Sequence, residues 1–359
     1  MNSRLEPTYV ASRQSDALAP DADAERITVS IEFDDIVYSL QRFGGISEYW
    51  REMTTRVEAM PGFAVVRRSG GFWRRMAVQR SNAQVFHSSY YRTARGPKTR
   101  SVTTVHDLAY ELGHVGNGAK ALLHRREHRK AYFASDALIC VSQSTREDLL
   151  RVYPTLAGRC PIFVVPHGVM PLSYTSAVPA AAVKDAPFVL FVGGRQAYKN
   201  FDNALAGFAA SRLKEQGFVL ACTGAPLTSA EMKQVSRLGL GQSVRSLGNV
   251  RRDELARLYA TAHCLLYPSL FEGFGLPLLE AMQHGCPVVA SNRSVMPEVA
   301  GDAALLVDAR DPAAIAAALL DIGVPHTRQR LVAAGLTRSA EFSWDRAATQ
   351  HASIYRSLN

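Results

Sequence analysis

Cys264-Leu-Leu-Tyr-Pro-Ser-Leu-Phe-Glu272-Gly-Phe-Gly-Leu-Pro277-Leu-Leu-Glu280-Ala-Met-Gln-His-Gly285-Cys-Pro-Val-Val-Ala290 is the stretch that decides the fold. An apolar run, a glycine loop, a segment of helical spacing, a glycine stop and a second apolar run succeed one another. That is a strand, helix and strand joined in parallel. Pro277 suits the first helical position and Gly285 the residue just past the end, which sets the helix at 277–284. The unpaired N–H groups of Phe274, Gly275, Leu276 and Leu278 then open at the carboxyl end of a strand, where a helix start stabilises a phosphate. Glu272 and Glu280 flank that opening. Carboxylates accept two hydrogen bonds from vicinal hydroxyls, which sugars and ribose present. Taken alone, the pair fits a solvated loop residue and a helix-favoured glutamate equally well.

Outward from this unit the same alternation repeats. Phe188-Val-Leu-Phe-Val, Phe218-Val-Leu-Ala-Cys and Val244-Arg-Ser-Leu read as buried strands, with helices over 202–213, 228–238 and 252–260. An earlier set begins at Ile27-Thr-Val-Ser-Ile-Glu-Phe and continues through 84–89, 101–106 and 137–142, separated by helices over 47–57, 119–134 and 143–152. The α/β class follows, with two Rossmann-like doubly wound domains facing a central cleft. Expected boundaries are a disordered tail over 1–25, an N-terminal acceptor-binding domain over 26–170 and a Pro/Ser/Ala-rich linker over 171–186. A donor-binding domain over 187–341 and a closing segment over 342–359 complete the chain.

Composition sets the frame. The chain has 359 residues, 47% of them hydrophobic and 20% charged, too long for one ordinary core. Five dispersed cysteines form no C-x-x-C pair, no run reaches transmembrane length and the N-terminus carries no signal pattern, so a cytoplasmic location is expected. The net charge of +9 is concentrated. From Ala59 to His106 there is no acid, while Arg67, Arg68, Arg74, Arg75, Arg80, Arg92, Arg95, Lys98 and Arg100 supply nine cations around Phe72 and Trp73. Such a stretch suits nucleic acid, an anionic membrane surface, an anionic acceptor, or simply a solvated rim.

Glu272 and Glu280 in the setting Phe-Glu-Gly-Phe-Gly-Leu-Pro resemble the signature of retaining family 4 glycosyltransferases of the GT-B architecture. The resemblance extends over nearly the whole chain after residue 25. It implies that Glu280 holds the nucleotide ribose and that Glu272 contacts the transferred sugar near the reacting centre. The segment Gly193-Gly194-Arg195-Gln-Ala-Tyr-Lys199-Asn200 resembles the family's basic loop, which implies that Arg195 and Lys199 grip the diphosphate without a metal. Gly44 and Gly45, after the first strand and at the start of a helix, can approach the donor phosphates from the other domain. His106, at a strand end, resembles the family's histidine beside the donor sugar. Leu247-Gly-Asn-Val250 resembles the segment that seats the base. The run from Phe342 to Leu358 resembles the helix that crosses back onto the N-terminal domain.

The implied reaction moves a hexose from a nucleoside diphosphate sugar to a hydroxyl with retention, and without cofactor or metal. Gly44-Gly-Ile-Ser-Glu-Tyr-Trp-Arg-Glu52 resembles bacterial mannosyltransferases of surface polysaccharides, including lipopolysaccharide, so GDP-mannose is the preferred donor and a UDP-hexose the alternative. A glycan or polyprenyl-diphosphate-linked saccharide is the expected acceptor, with peripheral contact to an anionic inner membrane face through the basic segment. A nicotinamide enzyme would need a glycine fingerprint that is absent. A nucleic-acid binder would leave the two glutamates unexplained, so no nucleic-acid partner is expected. Met170 departs from the acidic or asparagine residue found after this Pro-His-Gly-Val segment in many relatives.

Overall fold

In the computed structural model the described residues are 28–41, 44–70, 78–170, 172, 183 and 185–359. The expected tail over 1–25, most of the expected linker, and Arg42, Phe72, Trp73, Arg74 and Arg75 lie outside them.

The two alternations become two six-stranded parallel sheets. In the first, the spatial order is Phe63–Arg68, Val29–Asp34, Val85–Ser88, Arg100–Val105, Ala137–Cys140 and Ile162–Val164. In the second it is Val244–Gly248, Val219–Thr223, Phe188–Phe191, Cys264–Tyr267, Val288–Ser291 and Leu305–Val307. Parallel strands are covered on both faces, and the central ones are accordingly almost wholly apolar: Phe188–Phe191, Cys264–Tyr267 and Val288–Ser291 are buried at every residue. Helices Ala119–Ala134 and Gln143–Val152 occupy the spans that their spacing predicts.

The strands Phe63–Arg68, Ile162–Val164 and Leu305–Val307 escaped the pattern. The first ends in two arginines that read as surface, yet it pairs along its whole length with Val29–Asp34, bringing Arg68 opposite Asp34. Four of the nine cations of the basic stretch are paired with acids from other segments. Arg67 binds Asp35 at 2.8 Å, Arg68 binds Glu32 at 2.7 Å and Arg100 binds Asp136 at 3.1 Å. Arg92 is buried against Asp34 at 2.8 Å. The balancing acids sit on other segments, mostly the first strand and the loop after it. Burial, only partly opposed by Arg92, pushes the Asp34 carboxyl up to about 6.

Helix Trp344–Ser357 starts at Ser343, whose hydroxyl accepts from Asp345 N and Arg346 N, and it lies on the first domain. Trp344, Ala347, Ala348, Ile354 and Tyr355 share one core with Phe33, Trp50 and Met53. Arg56 reaches Asp345 at 2.6 Å across the same contact. All five cysteines are free thiols. No helix among the described residues is long and apolar enough to cross a membrane.

Candidate active site

Parallel strands deliver their loops to one edge, so the segments after Asp34, Val105, Phe191 and Tyr267 all open into the space between the sheets. The loop after Tyr267 is the centre. Lys199 Nζ lies 2.5 Å from Glu272 Oε1, and the Tyr267 hydroxyl donates to the same oxygen at 2.7 Å. Lys199 also donates to the Tyr267 oxygen at 3.2 Å. Only 13% of the Glu272 side chain and 15% of that of Lys199 is exposed, so the pair is strong for its solvation. Ser294, in the left-handed region at φ +55°, accepts from Glu272 N at 3.2 Å and donates to Glu272 O at 2.9 Å. Tyr267 was not anticipated, although its position at the end of a buried strand was legible.

Helix Leu276–Gln283 begins one residue earlier than its spacing predicts, with Gly275 as N-cap at φ +90° and Pro277 at the second position. Glu280 is therefore the fifth helical residue, in the second turn and not the first. Tyr259 donates to its Oε2 at 3.0 Å. Burial raises the Glu280 carboxyl above its ordinary range; the Tyr259 bond opposes this and the nearby Glu48 adds to it. Glu48 is itself ion-paired to Arg252, which joins the helices Gly45–Glu58 and Arg252–Thr261 across the two domains.

The placement of Arg195 differs from a free cation at the cleft mouth. Its guanidinium binds Glu231 at 2.8 Å, the carbonyl of Pro226 at 2.8 Å and that of Thr223 at 3.3 Å, as well as Ala225 O. Glu231 is there because it closes the capping box of helix Ser229–Arg237 with Thr228. Phe274 also turns inward, its ring 4.7 Å from His167 and 5.8 Å from Phe342, which leaves its backbone for a ligand. Val250 is half-buried against the second core, beyond the edge strand Val244–Gly248.

The domains meet closely at this site. Gly44, at φ +144°, precedes the helix Gly45–Glu58, and a Cβ added at Gly45 would stand 3.9 Å from Leu276 Cδ1. A Cβ at Gly273 would lie 1.8 Å from the His106 carbonyl oxygen, so only glycine permits this approach. Gly273 O accepts from Ser142 Oγ at 2.8 Å and Thr145 Oγ1 at 3.1 Å. Glu298 of the second domain accepts from Gln143 N at 2.8 Å and Ser144 N at 2.9 Å, capping a helix of the first. The His106 ring packs edge-on to Tyr49 at 5.0 Å, and burial depresses its pKa to about 3, so it is neutral at physiological pH.

Comparison with known proteins agrees with this geometry. Residues 186–323 match the family described as glycosyl transferases group 1, and residues 41–171 match Glycosyltransferase Family 4. The chain is 30% identical over 304 residues to a D-inositol 3-phosphate glycosyltransferase of Frankia alni, covering 76% of this chain and 74% of that one. The chain belongs to glycosyltransferase family 4. It is also 45% identical over 116 residues to O-antigen chain mannosyltransferase B of Escherichia coli, a match spanning 32% of this chain and 30% of the relative's length. Among solved structures, a sucrose-phosphate synthase from Thermosynechococcus elongatus superposes with a TM-score of 0.70 at 20% identity, over 92% of this chain and 99% of that one. The fold of this family 4 member is GT-B.

Proposed function

We propose that the chain transfers a hexose from a nucleoside diphosphate sugar to a hydroxyl of a glycan or polyprenyl-diphosphate-linked saccharide, retaining the anomeric configuration. The Glu272, Lys199 and Tyr267 cluster beside an open helix start carries this reading. A departing diphosphate needs positive charge, which Lys199 and the N–H groups of Gly275 and Leu276 supply from fixed positions. On arrival of the donor, Lys199 exchanges its bond to Glu272 for one to phosphate, and the freed carboxylate accepts from the sugar hydroxyls. Glu280 accepts from the ribose diol. His106, neutral, offers its ring to the sugar without adding charge near the developing oxocarbenium centre, while its carbonyl closes against Gly273. The acceptor proton passes to the leaving phosphate oxygen on the same face, and Lys199 with the helix N–H groups carries the diphosphate charge in the role a metal would otherwise take.

GDP-mannose is the preferred donor, favoured by the identity to the O-antigen mannosyltransferase and by the Gly44–Glu52 segment; a UDP-hexose is the alternative. Peripheral contact with an anionic inner membrane face fits a lipid-linked acceptor. A donor-hydrolysis screen of GDP- and UDP-sugars, with Glu272→Ala as control, tests the whole reading. Turnover of one donor class that the variant loses supports it. Equal turnover by the variant removes Glu272 from the reaction.

A further inference from the structure

The second sheet places the expected base seat and an unassigned cavity at its opposite edges. Val250 follows the edge strand Val244–Gly248, whereas Arg310 follows the other edge strand, Leu305–Val307, and Glu272 follows an interior strand between them. The cavity at the Arg310 end has a volume of about 690 Å³ and is lined from both domains. Arg151, Arg293 and Arg310 contribute three guanidinium groups. Arg151 is held by Asp148 at 2.5 Å and Arg293 stands 3.9 Å from Asp308. Arg310 carries no ion pair among the described residues. Asp148 also lines the cavity, together with an aromatic group in which His114 stacks on Phe271 at 4.4 Å and Tyr198 meets both rings at 6.3 and 6.5 Å. Burial lowers the His114 pKa, opposed by the nearby Asp148 and Asp107. Ser294, which clamps the Glu272 backbone, lines the same cavity.

We propose that this cavity is the acceptor subsite and that it selects a saccharide carrying a phosphate or diphosphate. The proposal rests on the transferase reading above, which leaves the acceptor's charge open. Aromatic faces take the C–H edge of a sugar ring, and arginine forks match phosphate oxygens in two-point contacts. With the phosphate held by Arg293 and Arg310, a sugar seated on Tyr198 and His114 directs a hydroxyl past Ser294 toward Glu272. Nothing in this arrangement calls on the nucleotide end of the cleft.

Calorimetric titration of the GDP-saturated protein with mannose 1-phosphate, inorganic phosphate and methyl mannoside tests the subsite, beside the Arg293→Ala/Arg310→Ala double variant. Both arginines are exposed, so the variant's melting temperature should stay within about 2 °C of the parent. Mannose 1-phosphate should bind more tightly than either other probe, and the double variant should weaken it at least about tenfold while leaving GDP affinity within about twofold. Tyr198→Ala should weaken mannose 1-phosphate but not inorganic phosphate. Unchanged mannose 1-phosphate affinity in the double variant overturns the proposal, as does inorganic phosphate binding equally well. The parent reading fails separately: absence of GDP and UDP binding counts against the donor site, while the difference between the parent and the Arg293→Ala/Arg310→Ala variant, measured without nucleotide, still reports on the cavity.

Discussion

The amino group of Lys199 and the carboxylate of Glu272 lie 2.5 Å apart, and Tyr267 holds the same carboxylate oxygen from the strand below. Each residue is thus the other's placeholder until a phosphate and a sugar arrive. Glu272→Gln keeps the shape but weakens both the Lys199 contact and the charge facing the sugar. Donor turnover should fall roughly 100- to 1000-fold with nucleotide affinity nearly unchanged. Steady-state kinetics together with nucleotide titration separate the two quantities, and a loss confined to affinity would count against this role.

Glu280 behaves differently because burial raises its pKa. A buried acid with a raised pKa costs stability when ionised: the cost is full above the folded pKa and vanishes as pH falls below the unfolded value of 4.5. Glu280→Gln should therefore melt higher than the parent at pH 7.5 without nucleotide, with the gap closing by pH 4. It should also bind GDP roughly tenfold more weakly. A lower melting temperature at pH 7.5 would contradict this account.

Gly273→Ala tests the closed contact. Its Cβ would overlap the His106 carbonyl oxygen, so either the loop shifts or the domains part, at about 1–3 kcal/mol. Turnover should fall at least about tenfold, and small-angle scattering should report a larger radius of gyration. An unchanged radius with full activity would show that the contact is dispensable.

Removing the cross-domain cap should loosen one helix selectively. Glu298→Ala leaves Gln143 N and Ser144 N without their carboxylate, costing about 1 kcal/mol. Hydrogen exchange should accelerate in residues 143–152 while the strand at 188–191 keeps its protection. Uniform acceleration would instead mark global destabilisation.

Four histidines line the junction of the first domain with helix Trp344–Ser357 and the second domain. Burial lowers His87 and His167 well below 6.5, His106 to about 3 and His351 to about 4. Tyr49 joins His351 at 2.9 Å, and Thr104 joins both Tyr49 and His87 at 2.9 Å. Because the unfolded chain binds more protons, stability is complete above pH 6.5 and falls as pH drops below it. His351 alone should withdraw about 2 kcal/mol by pH 5. The melting temperature should drop between pH 7 and pH 5, and less so in His351→Gln.

The repeated strand and helix periods made both sheets legible, because parallel strands buried on two faces are short, mainly apolar and β-branched runs, even where Asp34 and His87 are buried among them. The loop from Glu272 to Pro277 was legible for a different reason: glycine and proline there answer to fixed backbone geometry. What the sequence concealed were partners distant along the chain. Nothing local in Gly193–Asn200 announces that Glu231 will occupy Arg195, or that Lys199 will find Glu272. The acids that pair with part of the cationic stretch were concealed in the same way, since Glu32, Asp34 and Asp35 meet it only through strand pairing. Glu298 went unnoticed because a helix cap supplied by another domain leaves no mark in the sequence beside it.

Helix Trp344–Ser357 completes the core that holds Phe33, Trp50 and Met53. During synthesis, then, the first domain made is the last one finished. Its sheet can form early, but its apolar flank stays uncovered until the whole second domain has emerged and residues 344–357 follow. A ribosome that stalls within the second domain would leave an exposed half-core for chaperones to shield.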